Sequence, residues 1–102
     1  MKKSEELELE FAKRGMRRGG IFVLSPQDAL DFVFRCRQEG LRIAGIDGFR
    51  ITSKTTQPFT EHSVDFSIGS NFLGSMNTWD EAEAFLRARL GLDLFFEIVT
   101  ES

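Results

Sequence analysis

Tyrosine is absent from this chain of 102 residues, and cysteine, histidine and tryptophan occur once each, as Cys36, His62 and Trp79. One cysteine permits no intramolecular disulfide, and one cysteine with one histidine cannot close a Cys/His zinc site. No phosphate-cradling loop is present: Gly15, Gly19 and Gly20 lack the G-x-G-x-x-G spacing, and neither G-x-x-x-x-G-K-[ST] nor G-x-S-x-G occurs. These absences disfavour the large families of cofactor-dependent and triad enzymes, and no cofactor is expected. No apolar run approaches the ~20 residues that a membrane-spanning helix needs. The start, Met1-Lys2-Lys3-Ser4-Glu5-Glu6, is basic but leads into Glu and Leu rather than an apolar signal core. A soluble cytoplasmic protein is the expectation.

What is present suits one globular domain. Hydrophobic residues make up 41% of the chain, enough for a core without metal or disulfide staples. Eleven phenylalanines and no tyrosine build a dry core with few phenolic handles. The net charge is −3 and the pI about 5.1, so a nucleic-acid partner is not expected. Lys13, Arg14, Arg17 and Arg18 cluster before Gly19-Gly20 and read as a flexible, solvated connector rather than a phosphate site.

The chain order reads α-β-α-β-β-α-β. Residues 4–14 form a helix with Ser4 as N-cap, early glutamates and a narrow Leu7/Phe11 stripe. Residues 21–24 are a strand. Ser25-Pro26-Gln27-Asp28 opens a helix that Gly40 ends. Residues 42–52 are β-rich, and Asp47-Gly48 is either a hairpin turn or a bulge in one long strand; the bulge keeps Ile43, Gly45, Phe49 and Ile51 on one face. Residues 53–60 read as a loop. Residues 63–68 alternate, with Val64, Phe66 and Ile68 inward. Thr78 and Glu81 form a capping box for a helix to Leu90, and residues 94–100 are a strand, apolar except at Glu97 and expected at the sheet centre. The fold class is therefore α+β: a mostly antiparallel four-stranded sheet in βαββαβ, ferredoxin-like order, helices on one face, and an N-terminal helix beside them. Residues 1–20 are the helix and connector of a single domain, and 21–102 its core. Leu30, Val33, Phe66, Ile68, Phe85, Leu86, Phe96 and Ile98 are expected to be nearly fully buried.

Two features could carry function. Asp47, Glu61, His62 and Asp65 offer a general base with orienting acids or a weak metal site, the basis of a small hydrolase. Turn chemistry and loop anchoring explain the same residues without catalysis. The second feature is the Gly/Ser-rich segment Phe72-Leu73-Gly74-Ser75-Met76, whose large apolar residues either fold back on the core or form a contact patch, for a partner or for oligomer assembly. Cys36, inside an apolar helical pattern, reads as a small buried hydrophobe.

Gly45-Ile46-Asp47-Gly48-Phe49-Arg50, then Gln57-Pro58, then Glu61-His62-Ser63-Val64-Asp65-Phe66-Ser67, a Trp-led acidic helix and a closing Phe-Glu-Ile strand occur in this order. The pattern resembles a family of small bacterial proteins predicted as immunity proteins of polymorphic-toxin systems, over roughly residues 24–100. The resemblance implies a cytoplasmic, non-catalytic binding protein that neutralises a cognate toxin domain; many such domains are nucleases with basic clefts. An acidic protein can be steered to such a cleft. On this reading Asp47, Glu61, Asp65, Phe72, Met76 and Trp79 are expected on or near one partner-binding face.

Overall fold

The computed structural model describes residues 2–66 and 78–101. Three helices and five strands follow one another as α1 (Lys3–Glu10), β1 (Met16–Arg18), β2 (Ile21–Val23), α2 (Pro26–Gln38), β3 (Ile43–Ile51), β4 (Thr56–Asp65), α3 (Thr78–Arg87) and β5 (Phe95–Thr100). The class is α+β with antiparallel sheets. The strands after β1 and the helices among them keep the expected βαββαβ chain order.

The strands divide differently from the single four-stranded sheet expected. β1 and β2 make a two-stranded hairpin, and β4-β3-β5 a three-stranded sheet. The segment read as a flexible basic connector is strand β1, in register with β2 from Met16↔Val23 to Arg18↔Ile21. Gly19, at φ +60°, makes the tight turn between them. The hairpin is bridged to the larger sheet just past β2: Leu24 and Phe96 exchange backbone hydrogen bonds of 2.9 and 2.7 Å. The central strand is accordingly β3, and among the described residues β5 pairs with β3 on one side and with Leu24 on the other.

β3 is one continuous strand, so Asp47-Gly48 is not a hairpin turn. Its register slips against β5 between Ile43 and Gly45, and against β4 between Ile46 and Gly48. The first slip reverses the expected parity. Ile43, Ile46 and Gly48 sit opposite Thr100, Ile98 and Phe96 on the inner face, while Gly45, Phe49 and Ile51 turn outward. At the second slip the extra residues are on β4. The strand swells past Gly48, whose N–H donates to Ser63 Oγ (3.0 Å) while Ser63 Oγ donates to the Phe59 carbonyl (2.7 Å). A Cβ at position 48 would collide with the His62 carbonyl, so glycine is required there by close approach. β4 also begins earlier than the alternation indicated: Thr56 to Phe59 pair with β3, and the turn is shortened to Thr52–Thr55, where the Thr52 hydroxyl accepts from the N–H groups of Lys54 and Thr55.

The core lies between the sheet's inner face and helices α2 and α3. Val33, Leu86 and Phe96 are fully buried, Leu30 and Phe66 nearly so. Phe85 and Ile98 are half-buried, against expectation, and Ile68 lies outside the described residues. Phe85 lies at the layer edge, edge-on to Phe96 at 6.1 Å, with the Arg89 guanidinium over its other side at 3.7 Å. Cys36 is buried, and burial pushes its thiol up to about 12. The second helix starts as read, with Ser25 Oγ accepting from Asp28 N (3.3 Å) and Pro26 at the first position. Gly40, just beyond its end, adopts φ +72°.

Helix α1 begins at Lys3, not after a Ser4 cap; the Lys2 N–H donates to Glu5 Oε1 at 3.0 Å. Leu7 of this helix and Phe11 just past its end are buried, Phe11 edge-on to Phe32 of α2 at 5.2 Å. Around this narrow contact run ion pairs: Lys3–Glu39, Glu10–Arg35 and Arg14 to Asp28 and Asp31. Exposed pairs of this kind add little each, so the two rings and Leu7 hold the helix in place. The first residue of α3 is Thr78, so the capping position before it lies outside the described residues.

Candidate functional site

The outer face of the sheet, opposite α2 and α3, carries a row of carboxylates. It is built by the parity reversal in β3: past that slip, Asp47 points outward and stands directly across from Glu97 of β5. Directly opposed like charges destabilise a sheet pair. No hydrogen bond or ion pair joins either carboxylate to a basic group among the described residues. Burial raises the Asp47 carboxyl above the ordinary range, and the neighbouring charge of Asp65 adds to it. The Glu97 carboxyl is raised by burial first, then by Asp47, then by Glu8. Asp65 thus acts on Asp47, and Asp47 and Glu8 act on Glu97, a sequence that runs from β4 through β3 and β5 to α1. Of Glu8, Glu97 and Asp47, only Glu8 has a cation among the described residues, Arg17 at 2.7 Å. Beside the row lies a shallow cavity of about 260 Å³ lined by Ala44, Gly45, Asp47, Val64, Asp65 and Val99, with Val99 37% exposed.

Glu61 and His62 lie elsewhere. They belong to the swollen part of β4 and line a separate cavity of about 340 Å³ with Arg50, Phe59, Leu92 and Leu94. The set Asp47, Glu61, His62 and Asp65 is thus divided into two pairs that line different cavities, because the swelling in β4 separates residues 61–62 from residue 65. No three His, Cys, Asp or Glu side chains among the described residues are grouped to hold a metal ion. His62 Nδ1 accepts from Arg89 Nε at 3.2 Å, so its ring is tied to the turn just past α3.

Of the residues expected on one partner face, Asp47 and Asp65 are brought together and Glu61 is not with them. Phe72 and Met76 lie outside the described residues. Trp79 is on the helix layer, half-buried against the core, and its indole N–H donates to the Leu41 carbonyl at 2.8 Å. That bond closes the α2–β3 connection and gives the ring a structural task. Sequence reasoning missed Glu97 and Glu8 as members of the row. Glu97 had a signal: it is the one charged residue in an otherwise apolar strand. Glu8 had none, since it is one of four glutamates on a short, charged helix.

A comparison with protein-family models finds no match, and a comparison with curated proteins finds none either.

Proposed function

We propose that this protein is a toxin-neutralising inhibitor of the immunity type, acting in the cytoplasm of a bacterial cell by binding and without catalysis, and that the outer sheet face is its binding surface. The observation that carries the reading is the Asp47–Glu97 pair: two carboxylates directly opposed across adjacent strands, neither paired with a cation among the described residues. Such a pair costs stability in the free chain and gains it when a partner supplies a lysine or arginine. Half-exposed Phe49 and Phe95, also directly opposed on this face, offer apolar anchors beside the charges. The GIDGF, Gln-Pro and Glu-His-Ser pattern supports the same reading. The rival reading, a small hydrolase or metal-dependent enzyme, needs Asp47, Glu61, His62 and Asp65 in one site, and their division between two cavities weighs against it. The third, an oligomeric structural protein, rests on Phe72 to Met76, outside the described residues.

The test is co-expression in bacteria with a toxin domain encoded beside this chain's gene, followed by titration of the purified pair. Growth is expected to be restored by the native chain and lost with Asp47→Lys/Glu97→Lys. Full protection by the doubly reversed variant would remove this face from the reading.

A further inference from the structure

The arginines are not equally committed. Arg14, Arg17, Arg35, Arg37, Arg42 and Arg87 each bind a carboxylate. Arg18, Arg50 and Arg89 pair with none among the described residues: Arg18 donates to the Thr52 carbonyl, while Arg50, over Phe59, and Arg89, bonded to His62, flank the swollen part of β4. Each of the latter two is held by a ring instead: Arg50 lies over Phe59 at 5.5 Å, and Arg89 over Phe85 at 3.7 Å. A guanidinium resting on an aromatic face keeps its in-plane N–H fork free and loses little further freedom when that fork is used. Arg50 is uncommitted although Glu61 and Asp93 line the same cavity.

His62 adds a second donor. A ring nitrogen that accepts carries no proton, so the bond from Arg89 Nε to Nδ1 places the neutral ring's proton on Nε2. The Phe59 ring stands edge-on to the imidazole at 6.3 Å and joins Leu92 and Leu94 in an apolar wall. Leu92 is 41% exposed at the rim, an apolar side chain without a full complement of neighbours.

We infer that this cavity binds a carboxylate carried on an apolar body, with Arg50 clasping the carboxylate, His62 donating from Nε2, and Phe59, Leu92 and Leu94 seating the apolar part. Arg89 is a positioning residue that fixes the His62 tautomer. Phosphate lacks the apolar body that Phe59, Leu92 and Leu94 would seat, and Glu61 and Asp93 on the same walls oppose its second charge. A free aromatic acid and the C-terminal residue of a peptide present the same chemistry. The site is on different residues from the acidic face, and its occupancy does not depend on the inhibitor reading.

The experiment is an NMR titration of the full chain, following the His62 ring and the Arg50 and Arg89 side-chain N–H signals. The probes are 3-phenylpropionate, N-acetylphenylalanine, 3-phenylpropanamide and inorganic phosphate. Saturable shifts are expected with the two acids, and markedly weaker ones with phosphate and the amide. Tighter binding of N-acetylphenylalanine supports a chain terminus as ligand, and tighter binding of phenylpropionate a free acid. Arg50→Gln is expected to weaken the acids about tenfold or more, the loss of a charge-assisted, two-pronged contact. Arg50→Lys should recover only part of that, and Arg42→Gln, which breaks an exposed pair with Glu101, should change nothing. The inference is overturned by an amide or phosphate that binds as well as the acids, by unchanged affinity in Arg50→Gln, or by no saturable shift with either acid.

Discussion

Neutralising one member of the Asp47–Glu97 pair should make the free protein more stable and its binding weaker, in the same variant. The magnitude follows from the geometry. Side chains directly opposed across an antiparallel pair place their charges ~6 Å apart. Two unit charges at that distance repel by about 0.7 kcal/mol in bulk water and about 2.8 kcal/mol at an effective dielectric near 20. Both groups are half-exposed, so water and salt hold the repulsion toward the lower value, about 1 kcal/mol. Asp47→Asn or Glu97→Gln should therefore raise Tm by roughly 4–8 °C per kcal/mol recovered for a domain of this size. The pH dependence has a definite sign. Both carboxyls are raised in the folded state, Asp47 from 3.8 and Glu97 from 4.5. Their contribution to stability is complete below those unfolded values and is lost as pH rises through the folded ones. The advantage of the amide variants should accordingly be full at pH 7 and vanish below pH about 4, where the native pair is protonated too. Thermal melts of native, single-variant and double-variant protein from pH 3 to 8 read this directly. Equal or lower Tm in both amide variants at pH 7 would refute the reasoning, since the pair would then be compensated. An advantage that persists at low pH would refute it as well, because its source would not be charge.

Other substitutions probe the scaffold. Phe96→Ala, at a fully buried ring between sheet and helices, should cost about 3–5 kcal/mol in denaturant unfolding, and Phe85→Ala at the half-exposed layer edge distinctly less. Gly48→Ala should destabilise by roughly 1–3 kcal/mol, because its methyl meets the His62 carbonyl, whereas Gly91→Ala, in open space, should be near neutral in the same assay. Trp79→Phe should cost about 1–3 kcal/mol by leaving the Leu41 carbonyl unpaired, with partner affinity in calorimetry unchanged. Cys36, buried and with its thiol raised to about 12, should resist iodoacetamide at pH 8 in the folded protein and react once denaturant is added.

Local chemistry was legible in the sequence wherever a short segment decides its own state. Ser25-Pro26 with Asp28 announces a helix start because the cap, the fixed proline φ and the first-turn acid all act within one turn, and the structure has that bond. Gly40 marks the end of the same helix for an equally local reason, its positive φ. The apolar stripes of α2 and α3 identified Val33 and Leu86, because helical periodicity is a property of consecutive residues. Pairing was not legible, because a strand's partner is set by distant residues and by loop closure. Nothing within Met16–Arg18 says that it folds back on Ile21–Val23, nor that the hairpin's backbone bridge to the sheet is made at Leu24. The slip between Ile43 and Gly45 decides most of the site. A shift of one residue exchanges the two faces of a strand, and it turned Asp47 outward toward Glu97 while the swelling in β4 carried Glu61 and His62 away from Asp65. The types of residue in the candidate site were therefore plain from the chain, and their grouping was a consequence of register, which only the paired strands determine.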